Sequence, residues 1–168
     1  MDENILKAIE ENQASPSENQ DSEENNTTWL IFYAGSKAYA TDANNVREIL
    51  RNDEIFQVPF VPEYIKGVIN YYGHPYAAVD FSLFQKDESQ SSGLFLILND
   101  DNDIAIQISD VREFQTINNN YLHPFNQTTD TLYFTGAIDY DNGIQHIAVP
   151  VLNFKTITER IRQDFESE

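Results

Sequence analysis

The side chains that could do chemistry in this chain are three histidines, several groups of acidic residues and a pair of adjacent tyrosines. The sequence has no cysteine, which excludes disulfides, thiolate metal ligands and a cysteine nucleophile. His74, His123 and His146 are not spaced as metal ligands, and positions in or beside turns and loops explain them better. The sequence also has no glycine-rich phosphate loop and no Gly-x-Ser-x-Gly nucleophile motif. We therefore expect no catalytic residue, no metal ion and no cofactor.

Two groups of acidic residues were compared with calcium loops. The group at 101–103 lacks the glycine and the distal glutamate that complete such a loop. The group at 139–143 alternates carboxylates, but its Asn142-Gly143 pair is explained by a tight β-turn alone. A carboxylate pair for glycoside hydrolysis stays open, because nothing in an acidic chain selects one pair. One alternative is therefore a small β-barrel enzyme or ligand-binding protein that uses acidic side chains with Tyr71 and Tyr72.

The charge of the chain excludes two classes of partner. The formal net charge is −18, and a surface of this sign repels nucleic acid and anionic lipid. Residues 1–28 hold eight acidic residues and one lysine, and we expect them to form a disordered acidic tail. Such a tail provides solubility or steers a basic partner. No apolar run is long enough to cross a membrane and no secretory signal is visible, so we expect a cytoplasmic protein.

The strongest organisational feature is an internal repeat. The block from Leu30 to Ile49 recurs 65 residues later, from Phe95 to Phe114, and Tyr64–Tyr71 recurs 69 residues later. The period exceeds that of solenoid repeats, so it indicates two similar halves. A pair of halves creates a groove between them, where we expect the functional site.

Short strands separated by turn residues are predicted in both halves. They cover residues 29–34, 37–42, 54–58, 64–72, 75–81, 94–98, 104–108, 111–117, 131–140 and 144–149. Asp42 is placed to cap a short helical turn, and a helix with one apolar face follows Asn153. The pattern predicts a mostly β fold of two packed five-stranded β-barrels with short helices and a C-terminal helix.

Several motifs, in order, resemble those of the CheW-like chemotaxis coupling proteins. They are Val46-Arg47-Glu48-Ile49-Leu50, Val58-Pro59-x-x-Pro62, the run from Tyr64 to Gly73, Ala78-Val79-Asp80-Phe81, the run from Ile104 to Phe114, and Gly136-Ala137-Ile138. The resemblance covers about residues 29–160. It implies SH3-like barrels within one domain of residues 29–168, the first of about 29–84 plus C-terminal elements and the second of about 93–150. It further implies a non-enzymatic adaptor that links the cytoplasmic tips of chemoreceptors to the histidine kinase CheA in membrane-associated arrays.

The resemblance also implies two contact surfaces. The receptor tip would lie in a groove lined by Val46, Glu48, Ile49, Gly67, Val68 and Tyr72. The regulatory domain of CheA would contact Ile106, Val111, Phe114, Gly136 and Ala137. A helix in a groove needs an apolar floor and a charged rim residue such as Glu48.

The resemblance leaves some interpretations open, and the sequence departs from the family pattern at several positions. Gly67 either permits close approach of another backbone or forms a β-bulge at a barrel corner. Tyr72 stands where the family usually has arginine, and Ser109 and Asn153 stand where it usually has aspartate; Ala77 replaces a proline. An adaptor of another kinase pathway, such as surface motility, and self-association in arrays both remain alternatives.

Overall fold

The fold begins slightly earlier than the sequence predicts. The structure is a computed structural model that describes residues 25–166, so residues 1–24 of the expected acidic tail lie outside the described residues. Residues 26–28 belong to the first strand and not to the tail. Thr27 pairs with Ile117, and the Thr28 hydroxyl lies 2.9 Å from the Thr116 hydroxyl. Cross-strand threonine pairs of this kind stabilise a sheet, which explains the longer strand.

Within residues 25–166 the chain forms eleven strands and two α-helices. The strands are β1 (Asn26–Ala34), β2 (Lys37–Asp42), β3 (Val46–Arg51), β4 (Ile65–Tyr71), β5 (His74–Asp80), β6 (Leu94–Leu98), β7 (Ile104–Ile108), β8 (Asp110–Asn118), β9 (Leu122–Pro124), β10 (Phe134–Asp141) and β11 (His146–Leu152). The helices are α1 (Phe81–Phe84) and α2 (Phe154–Glu166), and 3-10 turns occupy Ala43–Asn45 and Asn119–Tyr121. The mostly β fold with a C-terminal helix is confirmed.

The strands form two sheets, and each sheet combines strands from both halves of the repeat. One has the order β8-β1-β2-β11-β10-β9 and the other β3-β6-β7-β5-β4. The β1–β2 hairpin, expected in a first barrel of residues 29–84, therefore lies in the sheet of the second half. Parallel pairing of β2 with β11 and of β5 with β7 makes this exchange. Since each half completes the sheet of the other, the domain must fold as one unit.

The main hydrophobic core joins the two sheets to helix α2. Leu30 and Phe32 come from β1, Leu96 from β6, and Ile157 and Ile161 from one face of α2. All five side chains are buried. Full burial of a side chain of this size stabilises the fold by about 1.5–3 kcal/mol, so the apolar face of α2 contributes substantially to the domain.

Local capping follows the predictions closely, whereas one predicted strand is wrong. The Asp42 carboxylate accepts a hydrogen bond from the Asn44 amide at 2.9 Å and caps the first 3-10 turn. The expected strand at 54–58 is reduced to a single bridge between Phe56 and Val68. Pro59 cannot donate to a sheet, which explains why pairing does not continue past this point.

Candidate functional site

The two barrels are closed in the same way. In each half, a short segment pairs with a strand and its backbone lies directly against a glycine of that strand. Gly67 has φ +143°, and a Cβ atom there would lie 2.2 Å from the Phe56 carbonyl oxygen. At Gly136 a Cβ atom would lie 2.4 Å from the His123 carbonyl oxygen. The strand register also shifts beside each glycine, between Ile65 and Gly67 in the first half. Gly67 therefore forms a β-bulge, and the backbone that approaches it closely belongs to the chain itself.

A tyrosine–glutamate hydrogen bond joins the strands on either side of each closure. In the first half the Tyr71 hydroxyl on β4 donates to Glu48 Oε2 on β3 at 2.7 Å. In the second half the Tyr140 hydroxyl on β10 donates to Glu113 on β8. The bond to Glu48, together with partial burial, raises the pKa of Tyr71 to about 12. The Glu48 carboxylate is thus engaged within the fold and is not a free rim charge.

Three tyrosine rings form an aromatic cluster at the end of the five-stranded sheet. Tyr71 contacts Tyr72 edge-on at 4.8 Å between ring centroids and Tyr76 at 5.1 Å. Arg47 Nη1 donates to the Tyr76 hydroxyl at 3.0 Å. Tyr72 itself is 79% exposed and has φ +49°, a conformation that a bulky residue rarely adopts. The cluster therefore holds one aromatic ring out into solvent on the turn between β4 and β5.

The structure brings the predicted receptor-contact residues to the two outer strands of one sheet. Val46, Glu48 and Ile49 lie on β3, Gly67 and Val68 lie on β4, and Tyr72 follows β4. Strands β3 and β4 are the two edges of the five-stranded sheet. The segment that joins them pairs with β4 at Phe56, and the Glu48–Tyr71 hydrogen bond connects the two strands directly. Val46 and Ile49 are half-buried against the main core, so part of their role is structural. Gly67 is buried and covered by the chain.

The predicted kinase-contact residues are less accessible. Ile106 is fully buried in the main core, in the middle of a sheet. Gly136 lies under His123 and Ala137 is 8% exposed, so these three positions offer little or no surface to a partner. Val111 is half-buried, whereas Phe114 is 55% exposed on the outer strand β8. Phe114 is the member of this set whose side chain can make a substantial contact.

The sequence analysis does not predict the role of a buried carboxylate at the end of β5, which binds the polar segment between the halves. Asp80 is fully buried and accepts hydrogen bonds from the Gln90 amide at 2.9 Å, the Gln90 side chain at 3.1 Å, the Leu83 amide at 3.2 Å and the Ser89 hydroxyl at 3.0 Å. Lys66 Nζ lies 3.7 Å away. An aspartate between an apolar strand and an apolar helix was the available signal of burial. A buried carboxylate needs several hydrogen-bond donors, and the polar segment that follows supplies them. These bonds fix the connecting segment to the core.

The histidines lie in polar surroundings but form no metal site. His123 Nε2 is 2.9 Å from an Asp139 oxygen, and His146 Nε2 is 3.7 Å from an Asp141 oxygen. Both pairs are exposed, and Asp139, Asp141 and His146 line an open depression of about 640 Å³. Among residues 25–166 no group of three or more histidine and acidic side chains is arranged to hold a metal ion. In the same part of the chain no helix combines the length and apolar character required to span a membrane.

Comparison with known proteins identifies this architecture. The family model described as the CheW-like domain matches residues 28–161. The chain belongs to the CheW-like domain family. Among solved structures, the scaffolding protein TtCheW from Thermoanaerobacter tengcongensis is similar in fold, with a TM-score of 0.66 and 19% sequence identity; the match covers 76% of this chain and 88% of that chain. A search of curated proteins found no match.

The family match agrees with the internal geometry of this CheW-like domain. The matched region spans both sheets and most of helix α2. Its start at residue 28 lies within β1, and its end at residue 161 is the last buried contact of α2 with the core. The match therefore covers nearly all of the packed structure in residues 25–166.

Proposed function

We propose that this CheW-like domain is a non-enzymatic adaptor that couples chemoreceptor tips to the histidine kinase CheA in chemotaxis. The observation that carries the proposal is the family match over residues 28–161. The similar structure of a protein described as a scaffolding protein supports it. In this function the domain is cytoplasmic and works at membrane-associated arrays, where it binds two partners at once and holds them in a fixed geometry.

The receptor surface in this proposal is the edge formed by β3, β4 and the turn that follows β4. Val46, Ile49 and Val68 supply a partly exposed apolar floor, and Tyr72 supplies an exposed aromatic ring beside it. Because Glu48 already accepts the Tyr71 hydroxyl, its carboxylate is held in a fixed orientation at this edge. A receptor helix would thus be bound chiefly through apolar and aromatic contact, without the donor fork of an arginine at position 72.

The kinase surface in this proposal is centred on strand β8. Phe114 is exposed on this outer strand, and Val111 lies three residues before it. Exposed aromatic residues on an otherwise polar surface are the residue type most enriched at the centres of protein interfaces. Ile106, Gly136 and Ala137 offer little surface to a partner and are left out of the contact.

The test measures binding of the purified protein to the CheA regulatory domain and to a receptor-tip fragment by isothermal titration calorimetry, separately and together. Tyr72→Asn should weaken receptor-tip binding about tenfold and leave kinase binding unchanged; Phe114→Ser should do the reverse. Each variant is the control for the other, and thermal melting checks the fold. Asparagine suits the positive φ at position 72, so that variant should stay folded.

Two results would overturn the proposal. The first is that the unmodified protein binds neither fragment. The second is that each variant loses both partners together with its melting transition, which would make Tyr72 and Phe114 structural residues. Binding to the kinase fragment alone would replace the receptor-coupling function with an adaptor of another kinase pathway.

A further inference from the structure

Three exposed apolar side chains alternate along the segment that joins β3 to β4. Phe56 is 58% exposed, Val58 40% and Phe60 92%, and we call these three residues the Phe56–Phe60 strip. The preceding residue, Ile55, packs inward against a core cluster of the five-stranded sheet, so Phe56 faces away from it. Phe56 pairs with Val68 at the margin of the proposed receptor surface, but neither proposed contact surface uses Val58 or Phe60. An exposed group of large apolar residues on a monomer is a feature that requires a reason.

The second half of the repeat shows that barrel closure does not require this strip. His123 takes the place of Phe56, because each residue pairs across the glycine-containing strand and each carbonyl lies against the glycine. His123 is polar and is held by Asp139 at 2.9 Å. Two and four residues further on, the second half has Phe125, which is half-buried, and Gln127, whose side chain donates to the Phe134 carbonyl. The same closure is thus made without two exposed phenyl rings.

The backbone at Phe60 adds a second argument. Its φ is +62°, a left-handed conformation that favours glycine or asparagine and is unfavourable for a bulky side chain. The fold therefore keeps a phenyl ring at a position where asparagine would be more stable, and exposes almost all of it to water. An exposed phenyl ring in an unfavourable backbone conformation points to a role outside the fold.

The charges beside the strip indicate the kind of partner. Glu54 and Glu63 flank it in the chain, and both are exposed. Among residues 25–166 neither carboxylate is part of an ion pair. A second copy of the chain would place these carboxylates against their own equivalents, and each copy carries a net charge of −18. A basic partner meets no such repulsion.

We propose that the Phe56–Phe60 strip is a docking surface for a partner protein segment whose apolar face is flanked by lysine or arginine. The apolar face covers Phe60 and Phe56, and the basic residues lie against Glu54 and Glu63. The strip borders the proposed receptor surface at the Phe56–Val68 bridge, but its partner is defined by different side chains and charges.

The test uses the full chain and two fluorescent helical peptides with the same leucine face, one flanked by lysines and the other by glutamates. Fluorescence anisotropy should detect binding of the lysine peptide only. Phe60→Asn should weaken that binding about tenfold while the protein melts at the same or a higher temperature. A Glu54→Lys, Glu63→Lys double variant should weaken it as well. The matched control is Ile144→Asn, because Ile144 is 91% exposed on the turn between β10 and β11 and lies outside the strip.

Other outcomes contradict the proposal in distinct ways. Unchanged peptide binding in Phe60→Asn, or an equal loss in Ile144→Asn, would show that the peptide binds the acidic surface without the strip. Self-association of the unmodified protein in sedimentation, abolished by Phe60→Asn, would assign the strip to a second copy. Loss of CheA or receptor-tip binding in Phe60→Asn would make the strip part of those surfaces, whereas unchanged binding to both fragments supports a separate site.

Discussion

The Asp80→Ala variant tests whether the buried carboxylate fixes the segment between the two halves to the core. Asp80 is fully buried, and both of its oxygens are used. Oδ1 accepts from the Leu83 amide and the Gln90 side chain, and Oδ2 accepts from the Gln90 amide and the Ser89 hydroxyl. Alanine removes every acceptor and leaves Lys66 without its nearby carboxylate.

The magnitude follows from the donors that lose their partner. The Gln90 amide is buried, and an unsatisfied buried donor costs about 1–3 kcal/mol. The Leu83 amide lies in the first turn of α1, where loss of the cap costs about 1 kcal/mol. Ser89 is exposed and can turn to water, and the Gln90 side chain keeps its bond to the Gln107 carbonyl. Together these two costs give an expected loss of about 2–4 kcal/mol.

The assay is urea denaturation followed by the fluorescence of Trp29, the single tryptophan, which is buried. A loss of about 2–4 kcal/mol is a large part of the about 5–15 kcal/mol that stabilises a typical domain. Asp42→Ala is the matched control, because that carboxylate caps only the Asn44 amide and its loss should cost about 1 kcal/mol. If Asp80→Ala lies within about 1 kcal/mol of the unmodified protein, the carboxylate does not hold the segment and the reasoning fails.

Two further predictions concern barrel closure. Gly67→Ala should destabilise the protein by more than about 2 kcal/mol in urea denaturation, because its Cβ would meet a carbonyl oxygen at 2.2 Å. Gly73→Ala, with φ +86° but nothing within 4 Å, should cost about 1 kcal/mol; equal losses would contradict the close approach. Because the pKa of Tyr71 is raised from 10.0 to about 12, its contribution to stability is complete below pH 10 and is lost as the pH rises through 12. Tyr71→Phe should therefore show a smaller fall in urea midpoint between these pH values, and an unchanged fall would refute the Glu48 bond.

Local features of the fold were predictable from the sequence. The turn between the strands predicted at 29–34 and 37–42 and the cap at Asp42 follow from turn and capping chemistry, and α2 follows from its apolar spacing. These signals depend on neighbours within a few residues, which a sequence displays directly. The internal repeat also predicted correctly that both halves carry the same closing glycine.

Long-range pairing was not predictable in the same way. The exchange of the β1–β2 hairpin depends on parallel contacts such as Ala40 with Val151, which no local pattern specifies. Ile106 was expected at a contact surface on the family resemblance alone. In the structure all five residues of β7 are buried, since the strand is central and both of its faces are covered. A resemblance carried over by position does not show which residues of a strand are buried.

The repeat also separates residues that close the barrels from residues available to partners. Glu48 and Tyr71 recur as Glu113 and Tyr140 and make the same hydrogen bond, so selection for the fold explains them. Exposed positions differ instead: Tyr72 corresponds to Asp141, Phe60 to Gln127, and Phe114 to the half-buried Ile49. Because both barrels close with the same duplicated contacts, these differences are not needed to hold the sheets together. We therefore expect the specificity of each barrel to reside in the exposed aromatic residues that its counterpart lacks.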